Sequence, residues 1–182
     1  MSALAEFEVA AVPDAPEFGL AGRWLFAACR AAAVAGTLVF VALVAMSIVS
    51  IGGRKVASMP VPGDVELLQL CAAFASSSFF AWCHLNQGDV KVDFFTEHLS
   101  ARYVHALDAL ASLMVAAVGA LLAWRTGVGV VDAFAVGETT MILGLPLWPG
   151  PALMVPGFLL LSLAGLYRSA LHLRRLRQGT RR

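Results

Sequence analysis

The chain has 182 residues, 59% of them hydrophobic and 14% charged, with a formal net charge of +1. Soluble domains carry charge on about a quarter of their residues, so this composition excludes an ordinary water-soluble fold and points to a membrane class. No nucleic-acid partner is expected, and what matters in the charge is its placement rather than its sum.

Residues 31–53, 67–88, 109–124 and 139–167 contain no Asp, Glu, Lys or Arg. A helix rises about 1.5 Å per residue and needs about 20 apolar residues to cross a hydrocarbon core of about 30 Å. Three runs meet that length. The third is shorter, so its helix is expected to begin near Tyr103, which puts His105 and Asp108 in or near the headgroup layer. The predicted fold class is an all-α integral membrane protein with four transmembrane helices, a short helix on the cytoplasmic side after span two, and an outer-face segment before span four.

Residues 1–18 carry Glu6, Glu8, Asp14 and Glu17 together with Pro13 and Pro16, and read as a disordered acidic lead-in. They do not read as a signal peptide, because the flank is not basic and the apolar run behind it is too long. The four-helix domain is expected over residues 19–178, with a basic tail at 179–182. On the first helix Ala28, Ala32 and Gly36 recur every four residues, a small-residue stripe that lets backbones approach closely in lipid. Asp64 and Glu66 open the second helix, where the amino-terminal end of the dipole favours negative charge. Small residues recur there too, as Ala72 with Ser76 and Ala73 with Ser77.

The connection after span two is the most distinctive polar segment, with Lys91 and Asp93 alternating with apolar residues before a helix-like stretch at 96–101. On spacing alone, Lys91 reads as an anchor and Asp93 as a cap. The third helix carries Ser112, Ala116 and Ala120 as its stripe. Beyond Trp124, the residues Val131, Phe134, Ala135 and Ile142 have the pattern of a helix lying on the outer surface. Pro146, Pro149, Pro151 and Pro156 are too dense for one straight helix. An oblique entry from Glu138 to Pro149 is therefore expected, followed by the fourth span from about Pro151 to His172. Cys29, Cys71 and Cys83 have no metal-ligand spacing and read as packing residues.

Orientation follows from Lys and Arg near the spans. Arg23, Arg30, Lys91, Arg102, Arg168, Arg174, Arg175, Arg177, Arg181 and Arg182 fall on one side, and only Arg54, Lys55 and Arg125 on the other. Both termini are expected in the cytoplasm, with Trp24 and Trp82 near the inner interface and Trp124 and Trp148 near the outer one. No acidic residue, lysine or arginine sits in the middle of a run, whereas ion and proton paths usually need such groups. Nor do the two halves form an inverted repeat with paired broken helices, the sign of a self-contained secondary transporter.

Three motifs in order resemble the small membrane subunit, of DctQ type, of the tripartite ATP-independent periplasmic (TRAP) transporters. They are Glu66-Leu67 opening the second helix, Gly88-Asp89-Val90-Lys91-Val92-Asp93 after it, and Gly137-Glu138-Thr139-Thr140 through Leu145-Pro146-Leu147-Trp148 with Pro156-Gly157-Phe158 beyond. Asp89 stands where the family is often basic or polar. The resemblance covers nearly the whole chain and implies a non-catalytic subunit of the bacterial inner membrane. Such a subunit packs beside the scaffold of a large, sodium-coupled, multi-span permease subunit that moves like an elevator. A periplasmic substrate-binding protein captures the substrate, often an organic acid. The implied partners are thus the large subunit, the binding protein and membrane lipid. Glu66, Lys91, Asp93 and Glu138 are the candidate partner-interface residues, and no catalytic, cofactor or metal residue is implied.

Two readings of other classes stand beside this one. His84, His105 and His172 fall at one cytoplasmic level, and two of them on facing helices would suit a haem iron in a membrane-anchored cytochrome. A stand-alone channel or exporter would need polar residues along a helix face, and no run provides them.

Overall fold

The computed structural model describes residues 20–57, 62–86 and 101–179. They form four helices: α1 (Leu20–Ala57), α2 (Asp64–Leu85), α3 (Ala101–Val136) and α4 (Pro149–Gly179). Each is long and apolar enough to cross a membrane. The 22 residues of α2 measure about 33 Å, close to one hydrocarbon core, whereas the 38 of α1 and the 36 of α3 are about 57 Å and 54 Å long. The acidic lead-in, the expected short helix after span two, Lys91 and Asp93 lie outside the described residues.

One expectation about the second half is corrected. There is no separate surface helix after Trp124: α3 runs on without a break to Val136, and Val131, Phe134 and Ala135 are exposed on its last turns. The hydrogen-bonded ladder simply continues through Gly127 and Gly129, because a helix tolerates isolated glycines at a modest cost. The prolines divide the fourth run close to where the sequence placed the break, with a non-helical segment up to Trp148 and the fourth helix beginning at Pro149. Pro149 and Pro151 sit in the first turn of α4, where the amide that proline lacks would have no intrahelical partner, and only Pro156 lies inside the helix. What precedes α4 is a tight hairpin held by one antiparallel bridge, Thr139 to Pro146. Gly144 turns it with φ 63°, a conformation that suits glycine.

The helices pack in a row rather than a closed bundle: α1 on α2, α2 on α4, and α4 on α3, with α1 touching α4 only lightly. Consecutive spans run in opposite directions, so the central pair, α2 and α4, is parallel. The seams are made of small residues at heptad spacing, the pattern that keeps one helix edge facing its neighbour. On α1 the buried positions Gly22, Cys29, Gly36, Leu43 and Ser50 are seven apart. On α3 they are Ala109, Ser112, Ala116, Gly119, Ala123 and Ala133. The sequence stripes are therefore partly displaced: Gly36, Ser112, Ala116 and Ser77 lie in seams, while Ala28, Ser76 and Ala120 face outward.

Backbones touch where glycine permits. A Cβ on Gly157 would stand 2.8 Å from the Ser77 carbonyl oxygen, and one on Gly119 would stand 2.9 Å from the Ser162 nitrogen. Where α1, α2 and α4 meet, Cys29, Ala81, Leu85, Leu161 and Ala164 form the buried core, with Phe26 against Trp82 at 4.9 Å between ring centroids. Only 17% of the apolar window of α1 and 33% of that of α4 is buried within the chain. Large side chains such as Leu38, Val41, Ile48, Leu113, Met114 and Leu121 point outward from the row.

Candidate functional site

The polar groups gather at the two ends of the row. At the hairpin end, Gly63 takes φ 71° and delivers the chain into α2, with its α-carbon packed under Leu143. Asp64 then binds back to α1: Ser50 Oγ donates to its Oδ2, and Arg54 Nη2 lies 3.5 Å from the same oxygen. The other oxygen accepts the Val65 amide at 2.8 Å, satisfying one of the free N–H groups of the first turn.

Glu66 reaches across to the hairpin. Its two carboxylate oxygens accept the backbone amides of Ile142 at 2.8 Å and Leu143 at 3.1 Å. The hairpin adds its own bonds, Thr140 N–H to the Leu145 carbonyl at 2.8 Å and Leu147 N–H to the Glu138 carbonyl at 2.9 Å. Phe134 meets Trp148 edge to face at 5.8 Å, tying the end of α3 to the start of α4. Of the candidate interface residues, Glu66 thus spends both oxygens inside the chain as a latch, and Glu138 stands exposed beside the latch. Sequence showed that an acid opens α2, but not that its partners lie 76 and 77 residues away.

At the opposite end, where α1 begins and α4 finishes, Arg168 is 9% exposed. Its Nη1 donates to the Leu85 carbonyl at 2.8 Å and to the His84 carbonyl at 3.4 Å. A guanidinium on the last carbonyls of α2 satisfies acceptors the helix leaves open and meets the negative end of its dipole. Sequence reading counted Arg168 only as one more basic residue of the tail. The available signal was its position: with Leu161, Gly165 and His172 it lies on the buried edge of α4. His172 faces α3, its Nδ1 3.9 Å from Asp108 Oδ2 and its ring centroid 5.9 Å from that of His105. His84 is buried at the end of α2 and is not part of this group.

This geometry defines a class: a multi-pass, all-α membrane protein whose polar groups tie the ends of its helices together and whose long sides are apolar and open. The chain belongs to the tripartite ATP-independent periplasmic transporters, DctQ component, whose family model matches residues 40–175. It is accordingly the small membrane component of a TRAP transporter. No curated protein and no solved structure matches the chain.

Proposed function

We propose that this chain is the non-catalytic stator of its transporter, packed against the fixed scaffold of a large sodium-coupled permease subunit. That subunit carries an organic acid delivered by a periplasmic binding protein. The observation that carries the reading is the open row of helices. A chain that buries so little of its apolar length against itself has broad faces to offer a membrane partner. The large subunit would supply the sodium and substrate sites and the elevator motion, and this chain would widen the part that stays still.

In this reading both termini are cytoplasmic in the bacterial inner membrane, in keeping with the excess of Lys and Arg on that side. The hairpin of residues 139–146, latched by Glu66 and flanked by Glu138, then faces the periplasm, where the binding protein docks. Lys91 and Asp93 sit at the cytoplasmic junction with the large subunit. An exposed ion pair is worth about 0–1 kcal/mol, whereas stranding one charge of a partly desolvated pair costs about 2–5 kcal/mol. Lys91→Glu and Asp93→Lys should therefore each insert at normal levels, yet copurify with the large subunit at least tenfold less and lose most uptake. Normal complex yield and normal uptake in both variants would return this loop to a plain connection.

A further inference from the structure

We infer that His105, Asp108 and His172 form a binding site for a divalent transition-metal ion, zinc foremost, which staples α3 to α4. One ligand atom from each of the three residues lies within 4.8 Å of the others. His105 and Asp108 are three apart on α3 and so share a face, and His172 comes from the neighbouring helix. The Nδ1 atom of His105 is buried and has no hydrogen-bond partner, an expensive state for an imidazole nitrogen unless something else occupies its lone pair.

The donor set selects the ion. Two imidazoles and one carboxylate suit zinc and its neighbours, whereas magnesium and calcium call for oxygen ligands throughout. In a tetrahedral zinc site with bonds of about 2.0–2.1 Å, adjacent ligand atoms are about 3.3 Å apart. The 3.9 Å between His172 Nδ1 and Asp108 Oδ2 is therefore close to the bound geometry, and side-chain adjustments of about 1 Å complete it. Haem fits less well, because the porphyrin leaves its iron two axial positions at most, and here three protein ligands converge.

Arg168, one turn earlier on α4, adds positive charge nearby, but its Nη1 is held by the carbonyls at the end of α2. The Asp108 carboxylate offsets part of the ion's charge. Asp108 and His105 are only half-buried, so an ion can reach the cluster without unfolding the helices.

The test uses the full chain, purified in detergent through a tag without histidines and stripped with a chelator. Equilibrium dialysis against zinc should give one ion per chain with a micromolar or tighter Kd. His105→Ala and Asp108→Asn should each weaken binding by at least tenfold. X-ray absorption of the zinc-loaded wild-type chain should show two imidazole nitrogens in the first shell. Because that last measurement uses the unaltered protein, a misfolded variant cannot obscure the result. Wild-type binding no tighter than that of the variants, a first shell without imidazole, or a Soret band in the chain as isolated would each overturn the site.

Discussion

Gly165 marks where α3 and α4 come closest: a Cβ there would stand 2.7 Å from the Ser112 carbonyl oxygen and 2.8 Å from the Ala116 nitrogen. Both of those atoms are backbone, so neither can swing aside. Gly165→Leu should push the two helices apart at a cost of about 1–3 kcal/mol, the usual penalty for overfilling a packed seam. Gly127, with nothing within 4 Å of its would-be Cβ, is the matched control. Thermal unfolding of the two leucine variants in the same detergent should show a clear loss for Gly165→Leu and little change for Gly127→Leu. Equal stability would mean that the seam yields. Sequence could not rank these glycines, because Ala and Gly are common in every span and proximity to a second helix leaves no local mark.

At the scale of a helix, α3 carries a charge at an unexpected depth. Gly119 abuts Ser162 and Phe158 of α4, so Arg125, about 9 Å farther along α3, comes level with the turn just before Gly157. Gly157 in turn abuts Ser77, near the middle of α2. An exposed arginine at mid-depth of a span costs about 2.5–3.5 kcal/mol on insertion scales and is usually paired. Asp132 lies seven residues on, along the same exposed face of α3. Arg125→Leu should therefore insert at least as well as the parent chain but copurify with the large subunit at least tenfold less. Unchanged copurification would assign this face to lipid.

The helices themselves were legible, because charges bracket the apolar runs and a run of that length has one structural solution in lipid. The continuation of α3 was not. Arg125, Gly127, Gly129 and Asp132 together have the local composition of a loop, yet the helix runs through them to Val136. The same limit applied to the polar ends. His105, Asp108 and His172 could be placed at one membrane level from sequence, but their convergence depends on α3 and α4 being neighbours, which no spacing within either helix records.

For the whole molecule, the row α1, α2, α4, α3 has a consequence for how the chain is made. The first helix finds its partner as soon as the second emerges, whereas α3 has none until α4 has been synthesised, since α4 is the helix it packs on. Assembly in the membrane therefore proceeds as two hairpins that form one after the other and then dock along the parallel seam of α2 and α4. Two-stage association of this kind does not need a continuous backbone. Fragments made by dividing the gene within the stretch encoding residues 87–100 should find each other when coexpressed, and the pair should copurify as a stoichiometric complex. Gly157→Leu, which drives a side chain into the Ser77 backbone, should prevent the halves from joining while leaving each hairpin inserted. If coexpressed halves of the unaltered chain stay apart, the connection between them is structural in its own right, and the two hairpins are not independent units of assembly.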